Sequence, residues 1–332
     1  MKHSRLFLSV FSCLALTLAM LMSPGVSDAA KTRLAFSGGP EGGTFQYFSN
    51  GIATRLSKNM PNVEVSNMAS AGSVENLRRV NSGDADFGIV YSGDLFLARN
   101  GKLPQDERKY ENVLAMSYLY GAPAHLVVLE DSGITAVAGL VGKKVAVGGA
   151  GSGAAASAER YFKALGLWDK MQPQFIGYSE AVSAMGDKLI DAVWVFAGFP
   201  NSSVIQAAAS NKIKILDTVE AGKAAGFFDE YPFYAEITIP AGTYSGIDTP
   251  VLTFQDSALW VTGKHVEAGL INASLKDIYS PEGLAYMIKV KSTAKEMTVD
   301  GALSGIVTPL HAGAESFWTE KGLTVSERQK AK

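Results

Sequence analysis

The 332-residue sequence has few of the side chains that build disulfide networks and metal clusters. It contains one cysteine, Cys13, and four histidines that lie far apart along the chain. A single cysteine excludes an intramolecular disulfide framework and any multi-cysteine zinc or iron–sulfur site. The histidines show neither an HExxH motif nor a paired spacing. The sequence therefore predicts no bound metal and no cofactor.

An excess of charge of one sign is also missing. The chain has 30 Lys and Arg residues against 32 Asp and Glu residues, which gives a formal net charge of −2. Nucleic-acid-binding proteins normally carry a basic excess or a basic stripe, so nucleic acid is not an expected partner. No serine lies in the G-x-S-x-G pattern of a hydrolase elbow. With no other convincing catalytic set, the sequence predicts a protein that is not an enzyme.

Long apolar runs are confined to the first thirty residues. Lys2 and Arg5 precede an apolar run over 6–22, and small residues surround Asp28. This layout is typical of a secretory signal peptide, which we predict over residues 1–30. The alternative is an N-terminal membrane anchor, because the run approaches the minimum length of a span. The small residues favour cleavage, and we expect the mature chain to lie outside the cytoplasm without entering the membrane.

Short β-rich runs alternate with helical segments along the mature chain, which is the pattern of an α/β fold. A strand over 34–37 is followed by a glycine-rich turn and by a helix that Thr44 is expected to cap. The same plan returns at 144–165. This loose echo predicts two α/β lobes of similar build.

Extended segments at 125–130 and 233–239 lie where the chain could cross from one lobe to the other. We place the hinge there. The predicted division gives lobe I residues 31–122 and 242–332, and lobe II residues 123–241.

Four strand-to-helix junctions are rich in glycine and hydroxyl residues, at 38–44, 70–73, 148–153 and 198–201. At such junctions, unbonded N–H groups meet the positive end of the helix dipole, and glycine lets a ligand approach the backbone. One junction alone is more often an ordinary turn. Four of them in both lobes favour a cleft that binds a carboxylate or a similar anion.

Residues 149–154 (GAGSGA) also fit G-x-G-x-x-A, with Asp169 twenty residues after the first glycine, as in a dinucleotide fingerprint. An anion-binding turn explains these glycines more simply. Tyr91 is the strongest aromatic candidate for ligand contact, because it follows the predicted strand at 87–90 and ligands of open α/β sheets bind at that end.

Seven motifs, in order along the whole mature chain, resemble those of the TAXI solute-binding proteins of TRAP transporters. They are residues 42–45 (GGTF), 71–78 (AGSVENLR), 83–86 (GDAD), 148–153 (GGAGSG), 231–234 (YPFY), 239–244 (IPAGTY) and 309–315 (PLHAGAE).

This resemblance implies a type II periplasmic binding protein with two α/β lobes, crossover strands and a closing cleft. Family ligands are mostly small carboxylates, including glutamate, glutamine and 2-oxoglutarate, which the protein delivers to an ion-driven TRAP membrane permease. A monomer is the default for such a protein. The family's binding loops map onto Thr44, Phe45, Ser70, Gly72, Ser73, Tyr91, Ser152, Gly153 and Asn201.

Two positions depart from the family pattern. Many relatives have an amide where Tyr91 stands and an acidic residue where Ala122 stands. The first departure favours an aromatic or less polar acid over a glutamate-like ligand, although another dicarboxylate stays among the candidates. The second changes the charge near the hinge and is expected to alter the polar network at the cleft mouth. Two other functions stay open, an exported enzyme acting on a small acid and a ligand-sensing module for a membrane receptor.

Overall fold

The N-terminal part of the chain builds a parallel sheet covered by helices. The computed structural model describes residues 31–103 and 106–331, so the predicted signal peptide lies outside the described residues. The first strand pairs in parallel with the next two, and a helix follows each of the three strands. These elements are β1 (Thr32–Ser37), α1 (Thr44–Asn59), β2 (Val63–Met68), α2 (Ser73–Ser82), β3 (Phe87–Tyr91) and α3 (Ser92–Arg99).

The middle of the chain repeats this arrangement in a second sheet. Its first strand pairs in parallel with two later strands, and again a helix follows each of them. These elements are β5 (Lys144–Ala146), α4 (Gly153–Ala164), β6 (Gln172–Gln174), α5 (Tyr178–Gly186), β7 (Ala192–Phe196) and α6 (Ser202–Ser210). The expected strand at 192–196 and the expected glycine-rich turn before α4 are both present.

Two long antiparallel strands join the sheets, β4 (Val113–Leu129) and β10 (Val251–Gly263). Residues 113–123 of β4 pair with β10, whereas 124–128 pair with β7. The far end of β4 also pairs with β8 (Ile213–Leu216), and the first residues of β10 pair with β9 (Ala235–Ile239). The main strand order is β2-β1-β3-β10-β4-β7-β5-β6.

The crossing between the sheets differs in detail from the expectation. The segment at 125–130 is extended, but it forms only the end of the much longer strand β4. The segment at 233–239 contributes β9, while β10 is the strand that continues into the N-terminal sheet. The division into lobes I and II at 122 and 242 stays a prediction, and the two names are used below in that sense.

The remaining helices lie on the outer faces of the sheets. Large aromatic side chains fill the core on both sides, with Trp260 stacked on Phe36 in the N-terminal sheet and Trp194 packed on Phe254 in the second. No helix within 31–103 and 106–331 is long and apolar enough to cross a membrane. The remaining helices are α7 (Val219–Ala224), α8 (Phe227–Glu230), α9 (Ala268–Ile278), α10 (Pro281–Val290) and α11 (Ala312–Glu320).

Candidate ligand-binding cleft

The carboxyl ends of the parallel strands in the two sheets face each other, and a small cavity lies between them. The N-termini of α1, α2, α4 and α5 all contribute to its wall. Parallel strands place their following helices with the N-terminus at the same edge, which is where open α/β sheets bind ligands. The wall consists of Pro40, Gly43, Thr44, Phe45, Ala71, Gly72, Ser73, Tyr91, Tyr120, Ser152, Gly153, Ala154, Tyr178, Phe196 and Ala197.

The cavity is narrow because the lobes touch across it. The space open to the centre of a water molecule is about 20 Å³, close to the ~10–15 Å³ that one water needs. The N–H of Glu75 donates to the carbonyl of Gly151 at 3.1 Å, and the Asn201 amide donates to the carbonyl of Gly42 at 3.3 Å. These bonds join lobe I to lobe II, so the structure is a closed form.

Two hydroxyl groups in the wall have no hydrogen-bond partner among the residues that the structure describes. They are Thr44 Oγ1 and Tyr120 OH, in side chains that are 1% and 0% exposed. Burial raises the pKa of Tyr120 well above its ordinary value, so its hydroxyl keeps its proton. A buried hydroxyl without a partner costs free energy, and a ligand oxygen in the cavity would remove that cost.

The two serines of the wall are oriented by backbone N–H groups. Ser73 Oγ accepts from the N–H of Tyr91 at 2.9 Å, and Ser152 Oγ accepts from the N–H of Ala155 at 2.9 Å as the N-cap of α4. A hydroxyl group donates one bond and accepts up to two. Each serine oxygen accepts one bond, and neither O–H donates to an acceptor among the described residues. Both O–H groups are therefore available to donate to a ligand.

Tyr91 crosses the cleft and takes up space at its centre. Its hydroxyl donates to the carbonyl of Phe196 at 2.5 Å, and the Tyr178 hydroxyl donates to the same carbonyl at 3.0 Å. The ring of Tyr91 packs against Phe45, with a centroid distance of 4.8 Å. Burial raises the pKa of Tyr91 far above its ordinary value, so the group remains a neutral donor.

The electrostatics of the wall come from helix ends rather than from ionised side chains. No Lys, Arg, Asp or Glu is among the residues that line the cavity. The first-turn N–H groups of Thr44, Ser73 and Gly153 have no acceptor within the described ranges. Such groups form the positive ends of α1, α2 and α4, and together they favour a negative charge in the cavity.

Glycine at two positions allows the helix ends to come this close. A Cβ on Gly153 would lie 2.5 Å from Tyr91 Cδ2 and 2.6 Å from Ser73 Cβ, so any larger residue would push lobe II away from lobe I. Gly72, the N-cap of α2, has a φ of +124°, which side-chain-bearing residues rarely adopt.

Seven of the nine residues expected to bind ligand line this one cavity, and two do not. Ser70 stabilises the turn before α2, where it donates to the carbonyl of Gly38 at 3.1 Å and accepts from Gly72 N–H at 3.1 Å. Asn201 is the N-cap of α6 and accepts from Ser203 N–H at 2.9 Å. The seven in the wall are Thr44, Phe45, Gly72, Ser73, Tyr91, Ser152 and Gly153.

Thr44 has a different local role from the expected one. The N-cap of α1 is Gly43, and Thr44 is the first helical residue. A side chain at that position is not needed to cap the helix, because the Gly43 carbonyl already accepts from the N–H of Gln46 at 3.2 Å. The Thr44 hydroxyl is therefore left for the cavity.

Ala122 is not among the residues that line the cavity, and its expected effect on the polar network at the cleft mouth stays a prediction. It is fully buried in β4, directly opposite Asp256 of β10. Burial and the nearby Asp94 raise the pKa of Asp256 to about 8, so this acid is largely protonated at neutral pH. A second carboxylate at position 122 would face Asp256 in the same buried layer.

His125, in β4, makes hydrogen bonds through both of its ring nitrogens. Its Nδ1 faces the carbonyls of Pro123 at 3.1 Å and Val195 at 3.3 Å, so Nδ1 carries the proton and Nε2 accepts from Tyr244 OH at 2.9 Å. The Tyr244 oxygen in turn accepts from Asn201 N–H at 2.9 Å. Burial lowers the pKa of His125 to about 4. This neutral relay ties β4 to the start of α6.

Five residues of the wall lie outside the predicted junctions and site residues: Tyr120, Ala154, Tyr178, Phe196 and Ala197. Tyr178 begins α5 after Gly177, a further strand-to-helix junction that could have been counted with the other four. Phe196 ends β7, at the position that Tyr91 occupies on β3. No local sequence pattern indicates that Tyr120 enters the wall. Its position depends on the pairing of β4 with β10, which an extra residue, Leu119, interrupts next to Tyr120.

A buried ion pair links the lobes beside the cavity. Arg160 Nη2 donates to Asp94 Oδ1 at 2.8 Å, and Arg160 Nε donates to Tyr234 OH at 2.8 Å. The Arg160 and Asp94 side chains are 5% and 0% exposed. Asp256 completes this group, which we call the ionic cluster, and accepts from the N–H of Gly93 at 3.2 Å. No group of His, Cys, Asp and Glu side chains within the described ranges could hold a metal ion.

Solved structures share this architecture at low sequence identity. MatC of Rhodopseudomonas palustris with bound malate has a TM-score of 0.52 at 14% identity, over 88% of this chain and 97% of that one. A protein of Bordetella bronchiseptica RB50 has a TM-score of 0.52 at 17% identity, over 87% and 89%. The periplasmic aliphatic sulphonate binding protein SsuA of Escherichia coli gives 0.43 at 14% identity, over 88% and 83%.

The fold is therefore the two-lobed α/β fold of type II periplasmic binding proteins, as expected, with one sheet in each lobe and crossover strands between them. Sequence comparison adds the family. A model described as the NMT1-like family matches residues 36–322, which is most of the chain. The chain belongs to the NMT1-like family.

Proposed function

We propose that this chain is an extracytoplasmic solute-binding protein that captures a small organic acid between its lobes and delivers it to a membrane permease. The convergence of three helix N-termini from both lobes on a cavity with buried, unpartnered hydroxyls carries the proposal. The family match and the fold of periplasmic binding proteins support it.

The residues of the wall would act together on the carboxylate. Thr44 and Ser73 of lobe I and Ser152 of lobe II would each donate a hydroxyl proton to the ligand oxygens, beside the N–H groups of their helices. Tyr91 and Phe45 would set the shape of the remaining space. A ligand held by both lobes binds the closed form better, so its binding shifts the population towards closure.

For the transporter, we propose TRAP permease subunits, and with them the TAXI type of solute-binding protein. The seven motifs that resemble TAXI proteins support this assignment. The mature chain would work in the periplasm as a monomer after removal of residues 1–30, because each lobe must move freely. Proteins of the same fold also serve transporters of the ABC type, so the coupling must be measured.

Ligand capture is tested by a thermal-shift screen of the mature chain with mono- and dicarboxylates, aromatic acids and amino acids. A ligand of the native state raises the unfolding temperature by mass action. Hits are then followed by calorimetry and by small-angle scattering with and without ligand. We expect at least one organic acid to bind and to increase the closed fraction. Absence of any hit, or turnover of the bound acid seen by mass spectrometry, would contradict a binding-only role.

The permease is tested by uptake into vesicles that carry the candidate membrane subunits together with the purified, ligand-loaded protein. We expect uptake to collapse with the ion gradient and to continue without ATP. Uptake that depends on ATP would mean that the permease is of the ABC type and is not a TRAP permease. Binding without any uptake, together with capture of a membrane receptor, would favour a sensing module.

A further inference from the structure

The cavity wall presents several hydrogen-bond donors and no anionic acceptor. Thr44 and Tyr120 carry hydroxyls without partners, and Ser73 and Ser152 have O–H groups whose oxygens already accept from the backbone. The helix ends add backbone N–H groups, which can only donate. Every one of these groups can bind a ligand oxygen that accepts.

Several backbone carbonyls of the wall already accept hydrogen bonds, so the acceptors left for a ligand are mainly neutral hydroxyl oxygens. The Phe196 carbonyl accepts from two tyrosine hydroxyls, which fills both of its lone pairs. The carbonyls of Pro40, Gly43, Gly72 and Ser152 each accept a backbone N–H from their own turn or helix.

An ammonium group would find no suitable surroundings here. It has three N–H groups and needs acceptors, preferably a carboxylate, but no acidic side chain lines the wall. The nearby acids belong to the ionic cluster, where Asp94 is paired with Arg160. The positive ends of α1, α2 and α4 would also repel a cation. Burial of a charge without a partner is costly, so such a ligand would bind weakly.

The size of the cavity sets a second limit. In the closed form Tyr91 and Phe45 take up the centre of the cleft, and space for about one water molecule remains. A carboxylate with one small substituent needs only a slight separation of the lobes, whereas a longer chain needs the Tyr91 ring to move.

We infer that the cleft selects a compact organic monoanion without an ammonium group, of the 2-oxo monocarboxylate class, and rejects amino acids. The inference rests on the proposed function and narrows its ligand class. It depends on the absence of acidic side chains from the wall and on the positive helix ends around it.

The test compares pairs of acids that differ only in the amino group. Pyruvate and L-alanine have the same number of non-hydrogen atoms, and 2-oxoglutarate and L-glutamate form a longer pair. Calorimetry of the mature chain should give a pyruvate affinity at least about 100-fold higher than that for alanine, since the ammonium would be buried without acceptors. Pyruvate should also bind more tightly than 2-oxoglutarate.

Two threonine variants show whether the cavity hydroxyl is responsible. Thr44→Val removes the unpartnered hydroxyl in the wall, and Thr308→Val removes another buried, unpartnered hydroxyl outside it. Thr308→Val breaks no hydrogen bond of the unliganded protein, and Thr44→Val loses at most a weak contact of its hydroxyl with Tyr120 OH, so both should nearly keep their unfolding temperature. Only Thr44→Val should weaken pyruvate binding, by about tenfold or more, as for loss of a hydrogen bond to a charged oxygen.

The outcomes distinguish failure of this inference from failure of the proposed solute-binding function. If alanine or glutamate binds as tightly as its oxo counterpart, the inference is wrong and solute binding stands. If neither oxo acid binds, the inference is also wrong, and the wider screen of acids decides the function. Equal loss of pyruvate binding in Thr44→Val and Thr308→Val would contradict the role of the wall.

Discussion

The ionic cluster and the cavity are two buried polar regions that both join lobe I to lobe II, yet they are built in opposite ways. The cluster pairs full charges, with Arg160 bonded to Asp94 and to the Tyr234 hydroxyl. The cavity has no ionised side chain, and two of its hydroxyls have no partner among the described residues. Asp94 Oδ2 and Arg160 Nη1 of the cluster also lack partners among the described residues, so what distinguishes the two regions is the presence of ionised side chains.

Charge balance in the cluster explains how it can be buried. Asp256 has its pKa raised to about 8, chiefly by burial, so at neutral pH it is mostly uncharged. Arg160 and Asp94 then form a single pair with no net charge. Removal of a partner from the cluster should therefore cost stability, whereas removal of an unpartnered hydroxyl from the cavity should cost little.

The largest expected effect comes from Arg160→Met, which leaves the Asp94 carboxylate buried and unpaired. We expect a loss of about 3–5 kcal/mol in the free energy of unfolding, measured with urea. The control is Lys223→Met, since Lys223 pairs with Glu236 at the surface and should contribute less than about 1 kcal/mol. Equal losses in the two variants would mean that the buried pair has no special role.

Gly153→Ala is expected to have the next largest effect, because the new Cβ would collide with Tyr91 and Ser73 across the cleft. Overpacking of this kind costs about 1–3 kcal/mol. The lobes should stay further apart, which small-angle scattering would detect as a larger radius of gyration. Gly177→Ala is the control, since it replaces a glycine at the start of α5 whose Cβ would meet no atom within 4 Å. An unchanged radius for Gly153→Ala would show that the cleft tolerates the methyl group.

Asp256→Asn should change how stability depends on pH. The pKa of Asp256 is raised in the folded state, so its contribution is fully present below the unfolded pKa of about 4 and is lost as pH rises through about 8. Between pH 5 and 7 the wild type should lose about 1.4 kcal/mol per pH unit relative to the variant. Urea unfolding of both proteins across this range measures the difference. Parallel curves would indicate that Asp256 is ionised in the fold.

The smallest effect separates two tyrosine hydroxyls of the wall. Tyr91→Phe removes a bond to the Phe196 carbonyl, which keeps its bond from Tyr178, so we expect a loss of about 0.5–1.5 kcal/mol. Tyr120→Phe removes a hydroxyl without a partner and should leave the unliganded protein as stable or more stable. Chemical denaturation of the two variants measures both values. A larger loss in Tyr120→Phe would show that its hydroxyl is satisfied without ligand.

Local sequence signals predicted the parts of the site that follow strands. Glycine and hydroxyl residues at a strand-to-helix junction have a local cause, and Thr44, Ser73 and Ser152 all lie in the cavity wall. The α/β class followed in the same way from alternating apolar runs. Glycine at position 153 is also needed for a physical reason, because it lets the start of α4 lie close to Tyr91.

Other features depend on pairing between distant segments and had no local signal. Tyr120 reaches the wall beside an irregularity in the pairing of β4 with β10. The ionic cluster joins side chains of α3, α4 and β10, which lie far apart in sequence. Ser70 and Asn201 show that a local signal can also be ambiguous. Their residue types suit a binding turn equally well as a structural turn, and the structure uses them for the second purpose.

The continuous ladder of β4 and β10 has a consequence for how the cleft can open. The two strands pair from Gln255 with Pro123 to Gly263 with Val113, and the register shifts twice, between Ala258 and Leu259 and between Trp260 and Val261. Such irregularities let a ladder bend without breaking its remaining bonds. Opening should therefore act as elastic bending, and amide protons along the ladder should resist exchange with deuterium while those at the contact of Glu75 with Gly151 exchange readily.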